Sequence, residues 1–270
     1  MQLNSVKYTV LFAGAVCLVC SMFVSVTAVS LQDRQSFNRQ LDLQRRVLTV
    51  ADLYDPAQRL GADQIQQTWD DNIVPVIVDL RTGEEVAEPP FDAATYNQQR
   101  AAQDPEMSEP APGNLARVRR VPHYGQVFHV YDANDSLSMV IVPIHGMGLW
   151  AMMYGFVALD SDFNTIRGIT FYDHQETPGL GGEVDNPAWQ ALWPERKAFD
   201  EDGDVAVQVI KGSAGPPDED PHRVDGMTGA TFSNNGVTNG LHFWLGEHGF
   251  GPYLDRLREE HAEPVAETIT

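Results

Sequence analysis

The chain has 270 residues, of which 43% are hydrophobic, and a formal net charge of -20. This size and composition exclude global disorder and allow one sizeable core or two small ones. The negative field repels phosphate backbones, so nucleic acid is not expected as a partner. The only cysteines, Cys17 and Cys20, lie in the first apolar segment. The remainder therefore has no disulfide, thiolate metal site or cysteine nucleophile.

The first predicted element is an apolar helix over residues 8–31. These 24 residues carry no charge and no proline. At 1.5 Å per residue they make a helix of about 36 Å, longer than the ~30 Å hydrocarbon core of a bilayer. A cleaved signal peptide is the alternative, because Lys7 precedes the run and residues 26–28 resemble a cleavage site. The run is longer than the apolar region of a signal peptide, which favours a retained single-pass anchor over residues 1–32.

The flanking charges conflict on the orientation of this anchor. Lys7 favours a cytoplasmic amino terminus. The arginines that follow the span favour the reverse, and they are Arg34, Arg39, Arg45 and Arg46. Because a large acidic domain can translocate regardless of nearby charge, we expect the rest of the chain to lie outside the cytoplasm.

Residues 33–125 are predicted to form a connector and the first part of the soluble region. Residues 31–60 are charged and helix-prone, and residues 73–80 have the β-branched composition of a strand, interrupted by Pro75. Residues 84–114 are rich in Pro, Glu and Ala. This composition predicts an acidic loop or a mobile insertion.

Residues 126–258 have the pattern of one α+β domain, followed by a tail over residues 259–270. The predicted strands are residues 126–132, 138–144, 154–160, 166–172 and 205–210. The predicted helices are residues 187–193, 233–245 and 252–258. In the second helix one apolar stripe is formed by Val237, Leu241, Trp244 and Leu245. Several strands in a row with helices grouped late favour an α+β domain over a doubly wound one.

Three segments contain more glycine than sheet connections need: residues 145–150, 176–182 and 225–231. In the third, Gly229 and Ala230 allow a ligand to approach the backbone, and the helix that follows offers unpaired N–H groups to a phosphate. Polar side chains suited to the same role are Thr228, Thr231, Ser233 and Arg223. The alternative is that Thr231 or Ser233 simply caps the helix, and local composition alone favours the cap.

The stretch from Asp225 to Ser233, DGMTGATFS, matches the flavinylation motif D-x-x-[ST]-G-A-T-x-[ST] at every fixed position. It resembles the site at which an FMN transferase joins the flavin phosphate to the last threonine of G-A-T. The resemblance implies FMN attached covalently to Thr231. It also implies that Asp225 serves the metal-assisted transfer step and that Thr228 fills the usual Ser or Thr position.

The resemblance extends to other segments. Residues 174–181 resemble the E-T-P-G-L-G loop of FMN-binding domains. Residues 145–155, 182–193 and 243–253 are similar to the C subunit of the Na+-translocating NADH:quinone reductase, which has one amino-terminal membrane helix. The implied fold is α+β, with a single transmembrane helix followed by an FMN-binding domain that has a mixed or antiparallel sheet and helices.

The resemblance implies that FMN lies between the loops at residues 176–182 and 225–231. The residues expected to hold it are Thr231, Asp225, Thr228, Gly229, Ala230, Arg223, Glu176, Thr177, Gly179, Leu180, Leu149 and Trp150. The ring is expected to pack on Leu149, Trp150 and Leu180, although ordinary core packing explains the last two equally well. Glu176 and Thr177 either support the site from behind or cap a turn. His145 and His174 are expected to be ordinary polar residues rather than ligands.

The function implied is the relay of single electrons between the other membrane and flavin or iron–sulfur subunits of the reductase, to drive sodium export. The family resemblance places the chain in the lipid of a bacterial inner membrane, with its soluble domain in the periplasm. No catalytic residue and no metal site are expected. The chain lacks a nucleotide fingerprint, so it is not expected to oxidise NADH alone, and one uncharged helix forms no sodium path.

Two alternative functions remain open from the sequence. One is the flavin subunit of an Rnf-type ferredoxin:NAD oxidoreductase, which shares the anchor and the flavinylation motif. Residues 182–193 and 243–253 favour the quinone reductase. The other is a non-redox, membrane-anchored binding protein, in which the glycine-rich segments are only turns.

Overall fold

The computed structural model describes residues 6–262 apart from residues 59, 94 and 133. The chain divides into two compact units between Leu43 and Gln44. Helix α1 (Val6–Val50) begins in the first unit and ends in the second. Residues 33–50, which belong to the segment predicted as helix-prone, are helical.

The first unit contains the apolar part of α1 and extends to Leu43. Its segment Val6–Gln32 has 27 residues, and the most apolar 18-residue stretch within it has a mean hydropathy of 2.3 and no buried residue. At 1.5 Å per residue this segment is about 40 Å long, enough to cross a bilayer with some tilt. Its length, composition and exposure suggest a membrane anchor at the predicted place.

The second unit is built on a six-stranded sheet in which every pair of neighbours is antiparallel, in the order β2-β1-β5-β6-β7-β8. Its strands are β1 (Ile73–Asp79), β2 (Glu84–Glu85), β5 (Tyr124–Tyr131), β6 (Leu137–Met147), β7 (Met152–Asp160) and β8 (Ile166–Asp173). Two short pairs lie outside it, antiparallel β3 (Ser108–Pro110) with β4 (Arg120–Pro122) and parallel β9 (Gln208–Val209) with β10 (Arg223–Val224).

The helices of the second unit, besides the end of α1, are α2 (Ala62–Asn72), α3 (Gln98–Ala101), α4 (Pro187–Gln190), α5 (Thr231–Trp244) and α6 (Gly251–Ala262). Short 3-10 turns occur at Pro56–Gln58 and Gly181–Asp185. The predicted α+β class is confirmed. Four predicted strands correspond to β5–β8, and the three predicted helices correspond to α4, α5 and α6, with α4 shorter than expected.

Two predictions of local structure are wrong. The strand expected over residues 205–210 shrinks to β9, because the amides of Ala206 and Val207 donate instead to the carbonyl of Ala198. The segment 84–114 is not a plain loop, since it contains β2, α3 and β3. The carboxamide of Asn97 caps α3, and Ser108 donates to the carbonyl of Asp104 at 2.6 Å, so its polar side chains build local structure.

Helix α5 packs directly on β6 because glycines face each other across the contact. A Cβ on Gly146 would meet the carbonyl oxygen of Gly236, and a Cβ on Gly240 would lie 3.0 Å from the carbonyl carbon of His145. The apolar stripe predicted for this helix is buried in the main core, as Val237, Leu241, Trp244 and Leu245 are each 0–2% exposed. The close backbone approach fixes α5 over the sheet and so fixes where its first turn lies.

The turn between β7 and β8 is organised by Asp162. Partial burial acts to raise the pKa of its carboxyl, but hydrogen bonds from Thr165, Asn164 and Lys197 outweigh that effect and lower the pKa to about 2. A lowered folded-state pKa stabilises the fold above the unfolded-state pKa near 3.8, and this stabilisation is lost as pH falls through 2.

We therefore expect Asp162→Asn to lower the unfolding temperature of the full chain at pH 7 and to lose this effect as pH approaches 2. The two proteins would be compared by thermal unfolding at a series of pH values. A difference that stayed constant with pH would show that the shape of the side chain, rather than its charge, stabilises the turn.

Candidate functional site

The three glycine-rich segments come together in the second unit. They are the turn after β6, the loop after β8 and the segment that leads into α5. Contacts link them in pairs: Glu176 bonds to both Trp150 and Ser233, and Leu180 lies against Gly229. The loops that the sequence predicted as one site are therefore neighbours in the fold.

The carboxylate of Glu176 lies at the base of this site, with the residue 6% exposed. Its Oε1 accepts a hydrogen bond from the backbone N–H of Trp150 at 3.0 Å, and its Oε2 accepts one from the hydroxyl of Ser233. Both oxygens therefore have protein partners, and the side chain ties the turn after β6 to the first turn of α5.

Trp150 covers one side of the site. Its indole Nε1 donates to the hydroxyl of Thr177 at 3.2 Å, while the residue stays 64% exposed. Core packing, the alternative considered for Trp150, is therefore wrong. Leu149 beside it is 46% exposed, so the turn after β6 presents two large apolar side chains to solvent.

The loop after β8 reaches the segment before α5 through Leu180. A Cβ on Gly229 would lie 3.0 Å from Cδ2 of Leu180, and Gly229 has a φ of +75° that favours glycine. Leu180 is 43% exposed, so it is also not a core residue. At Gly179, φ is +76° and a Cβ would meet open space, which leaves this stretch of backbone accessible.

The first turn of α5 has no side-chain cap. Its N-cap is Ala230, and Thr231 is the first helical residue. The prediction that Thr231 or Ser233 caps the helix is thus wrong, because the Ser233 hydroxyl turns to Glu176 instead. Thr231 is exposed, and within the described residues its hydroxyl has no hydrogen-bond partner. The helix therefore presents a free hydroxyl beside uncapped N–H groups, which suit a phosphate.

Asp225 holds the segment before α5 to a neighbouring loop. Its carboxylate accepts hydrogen bonds from the hydroxyl of Ser213 at 2.9 Å and the amide of Ala214 at 2.8 Å. Its carbonyl accepts one from the indole of Trp189 at 2.9 Å. In this arrangement Asp225 orders the backbone that leads to Thr231.

Among the described residues, the other predicted residues around the segment before α5 form no hydrogen bond with Glu176. Arg223 on β10 is exposed and pairs with Asp220, its Nε 2.8 Å from Oδ1. Thr228 is exposed, and its hydroxyl has no partner in the described part of the chain. Ala230 is buried and supports the helix start.

The two histidines expected not to be ligands both contact other protein groups. The ring of His145 packs against Tyr154 and Trp244, with centroid distances of 5.0 and 4.5 Å. Loss of hydration there lowers the pKa of His145 to about 3, so the ring is neutral at pH 7. His174 accepts from the amide of Glu176 at 3.2 Å and lies 2.8 Å from Asp185, which orients the loop after β8.

Several residues of the site were missed from the sequence. Asn234 clamps the peptide of Met227, accepting from its N–H and donating to its carbonyl, both at 3.1 Å. Phe232 is 65% exposed in the first turn of α5, beside Thr231. A large apolar residue beside a predicted helix start could have indicated an apolar binding surface from the sequence. No feature of the sequence predicts the hydrogen bonds between Asn234 and Met227.

Comparisons with known proteins point to one family. Residues 148–246 match the model of the family described as FMN-binding domain. The chain is 44% identical to the C subunit of the Na(+)-translocating NADH-quinone reductase of Yersinia pestis, over 95% of this chain and 94% of the relative. It is 43% identical to the protein of the same name from Pseudomonas aeruginosa, over 96% of this chain and 98% of the relative.

Two crystal structures resemble the fold. Shewanella oneidensis NqrC superposes with a TM-score of 0.75 and 34% identity, covering 82% of this chain and 99% of that one. The C subunit of the Na(+)-translocating NADH-quinone reductase from Parabacteroides distasonis gives a TM-score of 0.64 and 26% identity, covering 83% and 96%.

Proposed function

This chain belongs to the family formed by the C subunits of Na+-translocating NADH-quinone reductases, and we propose that it holds FMN by a phosphoester bond to Thr231 and relays electrons within that complex. One observation carries the proposal. Thr231 is exposed, and its hydroxyl has no hydrogen-bond partner within the described residues. It lies at the uncapped start of α5, where the loops at residues 176–182 and 225–231 meet.

The residues present fit both ends of FMN. The phosphate end needs a hydroxyl for the ester and N–H donors, which the first turn of α5 supplies. The flat ring needs apolar surface, and the site offers four side chains that are 43–65% exposed: Leu149, Trp150, Leu180 and Phe232. At Gly179 a Cβ would meet nothing within 4 Å, so a ligand can approach the backbone there, and Gly229 has a φ of +75° that favours glycine. The other residues predicted to hold FMN belong to the same glycine-rich segments or directly precede them. They are Asp225, Thr228, Ala230, Arg223, Glu176 and Thr177.

When bound, FMN supplies reversible electron transfer, and the chain provides attachment, orientation and its electrostatic setting. Thr231 prevents dissociation by an ester bond. Trp150 and Leu180 shield the ring position from water, while Glu176 and Asn234 hold the two loops in place. The role proposed for the chain is to hold and orient this electron carrier, and catalysis belongs to the assembled complex.

The proposal extends to partners and location. The electrons pass between this protein and other membrane and flavin or iron–sulfur subunits of the same complex, and this transfer contributes to sodium export. An FMN transferase attaches the cofactor during maturation. The apolar segment of α1 lies in lipid, and the large acidic domain lies on the periplasmic side of the inner membrane.

The full chain produced with an FMN transferase should give a fluorescent band on a denaturing gel under ultraviolet light, because a phosphoester survives denaturation. The chain produced without the transferase is the matched control and should be dark. A dark band in both preparations would contradict covalent attachment.

Purification of the chain from its native membrane tests its place in the complex. We expect the other subunits of the quinone reductase to copurify with it. Copurification with ferredoxin-linked subunits instead would favour the Rnf-type complex, and a fluorescent chain with no redox partner would contradict the electron relay.

A further inference from the structure

The buried carboxylate of Glu176 joins two parts of the chain that are distant in sequence. Trp150, which donates to Oε1, lies 26 residues before it, and Ser233, which donates to Oε2, lies 57 residues after it. We call this pair of hydrogen bonds the Glu176 bridge. It connects the turn after β6 to the first turn of α5.

Glycines enclose the bridge and fix its dimensions. A Cβ on Gly148 would lie 2.5 Å from Oε1 of Glu176. A Cβ on Gly181 would collide with both Oε2 of Glu176 and the hydroxyl of Ser233. The backbone of two loops therefore touches the carboxylate, which leaves it no room to reach the open side of the site.

Each end of the bridge carries a group of the proposed flavin site. The backbone of Trp150 bonds to Glu176, while its exposed indole bonds to Thr177. Ser233 lies two positions after Thr231 in the same helical turn. The position of the carboxylate therefore sets the distance between the indole that flanks the ring and the hydroxyl that bears the phosphate.

We propose that Glu176 is a positioning residue that sets the orientation of the flavin ring relative to its Thr231 attachment through the Glu176 bridge, without touching the flavin. This inference rests on the function proposed above. A direct contact is disfavoured because both carboxylate oxygens are occupied by protein donors and the residue is 6% exposed.

Four variants of the full chain distinguish three ways in which Glu176 could act: through its hydrogen bonds, through its negative charge or through direct contact with the flavin. Glu176→Ala removes both hydrogen bonds, and Ser233→Ala removes one. Glu176→Gln keeps the bridge but removes the charge, because its amide oxygen accepts from Trp150 and its amide nitrogen donates to the rotatable Ser233 hydroxyl. Glu219→Gln is the matched control, since this residue is exposed and its side chain forms no hydrogen bond or ion pair within the described residues.

The first measurement uses the chain made without the transferase. Hydrogen exchange of the Trp150 amide should accelerate at least about tenfold in Glu176→Ala, because a hydrogen bond to a carboxylate is lost. It should stay near the wild-type rate in Glu176→Gln and Glu219→Gln. Unchanged exchange in Glu176→Ala would overturn the bridge itself, whether or not flavin binds.

The second measurement uses the flavin-loaded chain. Visible circular dichroism per covalently bound flavin reports how the protein orients the ring, and a role confined to stability would not alter it in folded protein. We expect Glu176→Ala and Ser233→Ala to lose most of this signal, the double variant to lose no more, and Glu176→Gln to retain it.

Two results would overturn the positioning role: equal loss in Glu176→Gln and Glu176→Ala, which would indicate charge or direct contact, or an unchanged signal in Ser233→Ala. A wild-type chain without covalent flavin would overturn the proposed function and with it the flavin part of this inference. The exchange measurement would still report separately whether the bridge exists.

Discussion

Replacement of Thr231 by alanine is expected to abolish covalent flavin entirely. The variant lacks the oxygen that forms the ester, and no other atom of the side chain can replace it. The hydroxyl is exposed and caps no helix N–H group, since Ala230 occupies the N-cap position. Its removal should therefore cost little stability, and the loss of flavin should occur in a folded protein.

The measurement is in-gel flavin fluorescence of the chain produced with the transferase, together with its unfolding temperature. Thr228→Ala is the matched control, because Thr228 is another exposed threonine of the same motif whose hydroxyl has no partner among the described residues. This variant should keep a fluorescent band, since the Thr228 hydroxyl does not form the ester, but a weaker band than the wild type because Thr228 is a position of the same motif. A band that survived Thr231→Ala but disappeared in Thr228→Ala would show that the wrong threonine had been assigned.

Thr231→Ser provides a second control. It retains a hydroxyl on the same carbon and removes only the methyl group, so we expect some flavin attachment to remain. Complete loss in Thr231→Ser as well would mean that the transferase requires the threonine methyl group. Loss in Thr231→Ala alone identifies the hydroxyl as the essential group.

The largest effect on stability is expected from Gly146→Ala. The new methyl group would collide with the carbonyl oxygen of Gly236 and lie 3.0 Å from the Cα of Gly240, and both are backbone atoms of α5. A helix backbone cannot rotate away as a side chain can, so α5 must shift as a whole. Overpacking of this kind costs about 1–3 kcal/mol or more, against a gain of at most ~1 kcal/mol from restricting the unfolded chain.

Thermal unfolding of the full chain measures this effect. We expect a decrease of roughly 5–10 °C in the unfolding temperature, given the size of the second unit. Gly113→Ala is the control, because a Cβ there would meet nothing within 4 Å, and it should unfold near the wild-type temperature. Equal unfolding temperatures for Gly146→Ala and the wild type would show that α5 does not pack on β6 through these glycines.

The proposed site could be located from sequence because its motifs are local. The segments around Glu176 and Thr231 each place several residues of a recognisable pattern within a few positions. The sequence does not reveal which contacts join these two segments. The hydrogen bond from Ser233 to Glu176 spans 57 positions, and the Asn234 clamp on Met227 depends on how one helix turn faces the preceding loop.

The sequence by itself determined the apolar helix, strands β5–β8 and the buried stripe of α5, because the spacing of apolar residues along one element reports which side of it is buried. Only the tertiary structure decided that Thr231 has a free hydroxyl, that Ala230 is the N-cap and that Trp150 and Leu180 are exposed. The physical reason is that the local sequence leaves several hydrogen-bond partners possible for each polar side chain. The packing of distant elements selects one of them, and at this site it directed Ser233 to Glu176 and left Thr231 open.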